Sequence, residues 1–110
     1  METLEKRQLI ENILREHTRV PYAHGDIRLE TVFDRASDRY LVMLVGWDGI
    51  LRVHGCLIHV DLLDGKFWVQ RDGTEYGVAR QLLDAGVLRE QIVIGFHPPE
   101  LRAVGEVAVA

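Results

Sequence analysis

The chain has 110 residues, a length that fits one domain (residues 1–110) with its own hydrophobic core. Hydrophobic residues make up 47% and charged residues 27%, as in an ordinary globular protein, and no apolar run approaches the roughly 20 residues that cross a bilayer. The 17 acidic residues outnumber the 13 basic ones, which argues against tight duplex DNA binding by this chain alone, because that binding depends on Lys and Arg.

The cysteine content predicts the compartment. Cys56 is the single cysteine of the sequence, so it has no internal partner for a disulfide. The first residues mix charges with apolar positions and lack the apolar core of a signal peptide. We therefore expect a protein of the reducing cytoplasm.

The first predicted elements are a helix and a strand. Apolar residues recur at helical spacing over Thr3–His17, with Thr3 expected as the N-cap. Pro21 ends this pattern, because the residue before a proline avoids helical geometry. Apolar and polar residues then alternate, which predicts a strand with one solvent-facing side over Ile27–Asp34.

A three-stranded antiparallel meander is predicted next, at Arg39–Gly46, Leu51–Leu62 and Lys66–Gln70. Each strand is followed by an Asp-Gly pair, the strongest short-range hairpin signal, at Asp48-Gly49, Asp64-Gly65 and Asp72-Gly73. The run Tyr40–Val45 is apolar at every position, which predicts a central strand covered on both faces.

The longest predicted strand reverses its alternation partway. Leu51 and Val53 are apolar at odd positions, whereas Cys56 and Ile58 are apolar at even positions. Such a reversal predicts a β-bulge or a bend, which we expect at Gly55. A substitution of Gly55 by valine is accordingly expected to destabilise the fold.

The last third of the chain predicts a helix and a short strand. The helix is expected over Glu75–Ala85, with Thr74 as its N-cap and Gly86 as the glycine after its end. Ile92–Phe96 follows as a buried strand, which a right-handed crossover would place parallel to a meander strand. A proline-initiated turn of helix comes next, and the apolar tail Ala103–Ala110 is expected to pack on this chain or on another subunit.

These elements predict an α+β fold with a mainly antiparallel sheet. Four strands form a meander, a short fifth strand joins it, and the N-terminal helix and the second helix flank the sheet. A sheet that is apolar on both faces, together with an apolar tail, exposes more apolar surface than one small domain can cover. We therefore expect a homo-oligomer, with a dimer as the default.

Three longer segments carry a recognisable pattern: GWDG at Gly46–Gly49, RVHGCLIHVDLLDGKFWVQRDGTE at Arg52–Glu75, and IVIGFHPPELR at Ile92–Arg102. With PYAHGDI at Pro21–Ile27, they resemble the XisI family, the fdxN-element excision controlling factor proteins of filamentous nitrogen-fixing bacteria. The long middle segment makes the resemblance specific. The tail departs from the Thr- and aromatic-containing ending of that family.

The resemblance implies a regulatory role. It implies a small α+β protein that works alongside an XisH-type partner of endonuclease-like character. In the family's namesake role, this pair is needed for a separate recombinase to excise a DNA element. The resemblance supplies no catalytic residue and no cofactor.

Two chemical interpretations of the residues are alternatives to this role. The histidines form no compact ligand pair, so we interpret them as hydrogen-bonded side chains rather than metal ligands: His17, His24, His54, His59 and His97. A small hydrolase or nuclease would need a histidine beside a carboxylate, from the group Asp48, His59, Asp61, His97 and Glu100.

Turn chemistry explains the aspartates of the Asp-Gly pairs, and no nucleophile motif or phosphate loop accompanies them. We therefore predict a non-enzymatic protein. A hydrolase with a His/Asp site at the meander end, or an antitoxin-like neutraliser of a nuclease partner, are the alternatives. The candidate partner interface comprises Trp47, Asp48, Trp68, His97, Glu100 and Arg102.

Overall fold

Five strands form one sheet in the sequential order β1-β2-β3-β4-β5. The computed structural model describes residues 1–22 and 25–102, except for the side chains of Leu101 and Arg102. The strands are β1 (Asp26–Asp34), β2 (Arg39–Asp48), β3 (Leu51–Leu63), β4 (Lys66–Asp72) and β5 (Ile92–Ile94). The first four pair antiparallel and β5 pairs parallel to β4, which confirms the predicted α+β architecture.

Two helices, α1 (Thr3–Thr18) and α2 (Val78–Asp84), complete the fold on one side of the sheet. A 3-10 turn, Arg89–Gln91, precedes β5, and the single helical turn α3 (Pro99–Arg102) follows it. Within the described part of the chain, no helix is long and apolar enough to cross a membrane. The predicted tail and His24 lie outside the described residues.

The core lies between the sheet and the two longer helices. Alternate residues of β2, β3 and β4 meet the apolar stripe of α1 and the inner side of α2. Each such side chain stabilises the fold by about 1.5–3 kcal/mol when fully buried. The fully buried members are Ile10, Leu14, Tyr40, Val42, Ile58, Val60, Phe67, Val69, Val78 and Leu82.

The other side of the sheet bears on the prediction made for β2. Leu41, Met43 and Val45 alternate with the buried residues of β2 and are only partly buried. β2 is a central strand, as predicted, but within residues 1–22 and 25–102 the buried core lies on one of its two faces. The two helices are too few to cover both faces of a five-stranded sheet.

Both helix starts differ from the sequence prediction. α1 has Glu2 at its N-cap, so Thr3 is the first helical residue instead of the cap. α2 begins at Val78 and not at Glu75, because Gly77 adopts a φ of 97° that a helix does not allow. The first backbone N–H of α2, that of Val78, instead donates to a side chain that precedes the helix.

Asp72 supplies that cap and is not the turn residue of a hairpin. One of its carboxylate oxygens accepts a hydrogen bond from the Val78 backbone N–H at 2.7 Å. The other oxygen accepts hydrogen bonds from the Thr74 backbone N–H and hydroxyl. Thr74 therefore supports the cap through Asp72 and does not cap the helix itself.

The end of α2 agrees with the prediction. Gly86 adopts a φ of 95°, and its N–H donates to the carbonyl of Leu83. The Val87 N–H donates to the carbonyl of Leu82, which completes a Schellman motif. Val87 and Leu82 are both buried, as the apolar contact that accompanies a Schellman motif requires. Gly86 supplies the positive φ that ends the helix.

Hairpin turns are present at two of the three Asp-Gly pairs, as predicted. Asp64 and Gly65 both have positive φ, as a type I′ turn requires. In the β2–β3 turn, Gly49 has the positive φ and Ile50 follows it, the arrangement of a type II′ turn. Asp48 is the last residue of β2 and forms no part of the two-residue loop.

The predicted irregularity of β3 is present but displaced. Val42 pairs with Ile58 and Met43 pairs with Cys56, so Leu57 is the extra residue of a bulge. Gly55 pairs regularly with Leu44, which corrects the expected position by two residues. Because the bulge shifts the alternation by one residue, apolar side chains of both halves of β3 reach the core side of the sheet.

The glycines of the β2–β3 hairpin provide a matched pair of substitutions. A Cβ at Gly46 would lie 2.0 Å from the carbonyl oxygen of Asp26, whereas a Cβ at Gly55 would meet no heavy atom within 4 Å. We expect Gly46→Val to lower the free energy of unfolding by about 2 kcal/mol or more.

We expect Gly55→Val to change the free energy of unfolding by less than about 0.5 kcal/mol, contrary to the sequence-based expectation. Urea denaturation of both variants beside the parent chain measures the difference. Equal destabilisation by the two substitutions would contradict this account.

Ion pairs attach α1 to the loop between β1 and β2. The Arg35 guanidinium donates to both carboxylate oxygens of Glu11, at 2.7 and 2.8 Å, and Glu11 is almost fully buried. Arg7 donates to both oxygens of Asp38, which also accepts the hydroxyl of Tyr40. These bidentate contacts fix the orientation of α1 on the sheet.

The same contacts predict an acid-sensitive fold. Hydrogen bonds from Arg35 lower the pKa of Glu11, and those from Arg7 lower the pKa of Asp38. A carboxyl group with a lowered folded-state pKa stabilises the protein above its unfolded pKa of about 4, and this contribution is lost as the pH falls through the folded-state pKa.

We therefore expect the urea midpoint to fall between about pH 5 and pH 2, and Glu11→Gln to reduce this pH dependence. Glu75→Gln, at an exposed position, serves as the control and is expected to leave the pH profile unchanged. An identical profile for the parent and Glu11→Gln would show that the buried ion pair does not contribute.

Candidate protein-interaction site

The side of the sheet opposite the helices has a row of apolar side chains at its centre, and we call this side the open face. Its centre is the β2 row of Leu41, Met43 and Val45, each partly buried by its neighbours. Register places further side chains beside this row: Arg28, Glu30 and Val32 on β1, Cys56, His59 and Asp61 on β3, Trp68 on β4 and Val93 on β5.

The open face contains one buried polar group. Asp61 is 8% exposed, and its two carboxylate oxygens contact the His59 Nε2 at 2.7 Å and the Gln70 side-chain nitrogen at 3.3 Å. Gln70 reaches Asp61 because β4 also carries a bulge, where Gln70 is the unpaired residue opposite His59 and Val60. The arrangement satisfies the carboxylate, so it is a structural network within the sheet.

The cysteine of this face is not poised as a nucleophile. Cys56 is partly buried, and its thiol donates to the backbone carbonyl of Ile58 at 3.2 Å. Burial raises the pKa of the Cys56 thiol above its ordinary value. At neutral pH the group is therefore a protonated thiol, and the thiolate that nucleophilic chemistry needs is disfavoured.

The β2–β3 hairpin ends in an exposed apolar tip, which we define as residues 47–51. Ile50 is 94% exposed, Leu51 is 66% exposed and Trp47 is 48% exposed. The guanidinium of Arg52 lies 5.1 Å from the centre of the Trp47 ring and also donates to the carbonyl of Gly46, which orients the indole. A type II′ turn requires only the glycine, so turn geometry does not explain the apolar residue at Ile50.

The predicted interface residues fall in three separate places. Trp47 and Asp48 lie at the hairpin tip, and Trp68 lies on the open face in the row of Arg39 and Asp61. Arg39 and Trp47 are eight residues apart on β2, a separation of about 26 Å along the strand.

The other three predicted residues follow β5. His97 is partly buried and packs edge-on against the Phe96 ring, with 4.7 Å between ring centres. Glu100 is exposed in α3, which also contains Arg102. A surface cleft beside Phe96 is lined by Asp72, Tyr76 and Arg80.

The hypothetical catalytic group is not assembled. Only His59 and Asp61 are in contact, whereas Asp48 lies at the hairpin tip and His97 and Glu100 follow β5. His17 contacts Gln81 at 2.8 Å, and His54 is exposed. Within residues 1–22 and 25–102, no three His, Cys, Asp or Glu side chains are grouped as a metal site would require.

Sequence reasoning missed Ile50 and the apolar centre of the open face. Ile50 follows an Asp-Gly pair, and an apolar residue inside a predicted turn was the available signal. The open face could not be assigned from the pattern, because a strand that is apolar at every position does not indicate which side the helices cover.

The chain is similar to known proteins over nearly its whole length. The family model described as XisI protein matches residues 1–109. The crystal structure of an XisI-like protein from Anabaena variabilis ATCC 29413 has 31% sequence identity and a TM-score of 0.88, over 99% of this chain and 100% of that one.

A second solved structure, the fdxN element excision controlling factor XisI from Anabaena variabilis ATCC 29413, has 28% identity and a TM-score of 0.75. It covers 88% of this chain and 94% of its own length. No curated protein sequence matches the chain.

The geometry predicts that the isolated protein does not hydrolyse phosphodiesters. The purified chain is expected to leave plasmid DNA intact with and without divalent cations, because within residues 1–22 and 25–102 the His59–Asp61 pair joins no further His, Cys, Asp or Glu in a metal-binding group. Gel analysis of the parent and His59→Ala measures this. Cleavage that is lost in His59→Ala would establish the enzyme instead.

Proposed function

The chain belongs to the XisI family, and from this membership we propose that it is a non-enzymatic accessory protein in the control of site-specific DNA-element excision. Its action depends on protein contacts, first with an XisH-type partner of endonuclease-like character and second with another copy of itself as a homodimer. A protein with one cysteine and contacts of this kind would act in the cytoplasm.

The observation that carries this proposal is the exposure of apolar side chains where the fold does not need them. Ile50 and Leu51 project at the hairpin tip, and Trp47 stands beside them with Arg52 against its ring. Trp and Arg, together with Tyr, are enriched among the residues that contribute most to binding at protein interfaces. Large apolar side chains at a loop tip, held by a rigid hairpin, are typical of recognition surfaces.

We assign the XisH-type partner to this hairpin tip. Two-residue type II′ turns are stiff, so the tip requires little ordering when it binds, and the binding free energy is not spent on fixing a loop. Asp48 is exposed beside the apolar group and Arg52 is close by, which gives the surface a charged rim. Trp47 and Asp48 thus belong to the proposed partner surface.

The antitoxin-like alternative shares this surface and differs in its consequence. An accessory protein leaves its partner competent to act on DNA, whereas a neutraliser blocks it. An assay of DNA cleavage by the XisH-type partner, with and without this chain, distinguishes the two roles. Suppression of cleavage at equimolar chain would replace the accessory role by neutralisation.

Substitution at the hairpin tip is expected to weaken the partner complex. After co-expression with an XisH-type protein, Ile50→Lys should reduce the partner recovered with the tagged chain at least tenfold, because a charge would enter an apolar contact. Leu88→Lys is the matched control, since Leu88 is 58% exposed and lies between α2 and the 3-10 turn.

Both variants alter an exposed apolar residue, so circular dichroism and urea midpoints close to the parent values are expected for each. Equal recovery of the partner with the parent and with Ile50→Lys would overturn the assignment of the tip. A failure of the parent chain to bind any XisH-type protein would overturn the proposed function itself.

A further inference from the structure

We infer that the open face of the sheet is where two copies of this chain meet, packed sheet against sheet about a two-fold axis. The inference rests on the proposed homodimer and assigns it a surface. The partner site at residues 47–51 is at the end of the hairpin, whereas the centre of the open face is the row Leu41, Met43 and Val45.

The first support is the chemistry of the face. Its central row is apolar, and Val32, which is 51% exposed, extends that row onto β1. Trp68 and Val93 add apolar side chains on β4 and β5, in the cross-strand row of Asp61. Two sheets that pack face to face interdigitate such rows at about 10 Å, in the manner of a β-sandwich.

The second support is the balance of charge on the face. Register places five basic and four acidic side chains there, and the full set is Arg28, Arg39, Arg52, Lys66 and Arg71 with Asp26, Glu30, Asp34 and Asp61. The whole chain, in contrast, has a net charge of −4. The nearly neutral face can therefore meet a second copy of itself without the net repulsion that the rest of the surface would produce.

The charges are also distributed so that a symmetric pair can match them. The cross-strand row at one end of the face contains Asp26 and Arg52. The row at the other end contains Asp34 and Arg39. Because both signs occur at both ends, a two-fold rotation can bring unlike charges together around the apolar centre.

The third support is area. Five strands span about 24 Å, and the longer strands run about 30 Å, so the face presents roughly 600–700 Å². A stable interface of standard size removes about 600–1,000 Å² per partner. The open face is thus large enough for a dimer, and the buried Asp61 with its two partners adds no unsatisfied group to it.

The oligomeric state of the isolated full chain tests the inference. Sedimentation equilibrium at micromolar concentration is expected to show a dimer. Met43→Glu should raise the dimer dissociation constant at least 100-fold, because it places a carboxylate at the apolar centre. Leu88→Glu introduces the same group at an exposed apolar position outside the open face and should leave the dimer unchanged.

A second variant tests the same interface in case Met43→Glu prevents folding. Val32→Glu alters a position that is already half exposed, and it should also weaken the dimer at least tenfold while the circular dichroism spectrum stays that of the parent. A dimer that persists unchanged in both Met43→Glu and Val32→Glu would overturn the open face as the interface and leave the homodimer in place.

Two further outcomes would show that a second copy of the chain does not cover the open face. A chain that is monomeric at micromolar concentration would overturn both the homodimer and this inference, while recovery of the XisH-type partner would still test the accessory role. A monomer that dimerises only after truncation following Arg102 would show that residues 103–110 cover the face, which also overturns the inference.

Discussion

Two helices cover one face of a five-stranded sheet, and the other features of the molecule depend on this asymmetry. α2 belongs to the crossover between the parallel strands β4 and β5, and a right-handed crossover has only one face available to it. α1 is held on the same face by its ion pairs to the β1–β2 loop. The apolar residues at alternate positions of β2 consequently have no helix over them in the described chain.

This asymmetry changes how the polar residues of the sheet are interpreted. His59 and Asp61 are on the uncovered side, where a histidine beside a carboxylate resembles part of a catalytic pair. The second oxygen of Asp61 is taken by Gln70, and the Cys56 thiol is directed at a backbone carbonyl. Hydrogen bonds within the open face therefore explain why these polar side chains are there, and we interpret them as structural and not as a catalytic pair.

The two proposed contacts have different centres and different physics, and they share Arg52 at their border. The hairpin tip offers a few highly exposed apolar side chains on a stiff turn, which suits an anchor in a partner's pocket. The open face is broad and nearly neutral, which suits another sheet of the same kind. Trp47 and Arg52 form the last cross-strand row of this face, so the two proposed surfaces meet at the base of the tip.

The sequence by itself determined the elements that depend on local rules. Period-2 alternation identified β1 and β3, and apolar runs bounded by Asp-Gly pairs identified β2 and β4. Asp64-Gly65 identified a type I′ turn and Gly86 identified the end of α2, because each pattern follows from backbone geometry within a few residues. It also determined the family, through the continuous Arg52–Glu75 segment that is similar to XisI proteins.

Only the tertiary structure decided the features that depend on residues far apart in the chain. Pairing with β2 placed the bulge at Leu57 instead of Gly55, and Asp72 began α2 through its bond to Val78. Packing of the helices decided which side of the Tyr40–Val45 run is covered, and the strand lengths kept Trp47 and Trp68 apart. The sequence pattern shows which side chains of a strand are apolar. It does not show which of them are covered, because the covering residues come from another part of the chain.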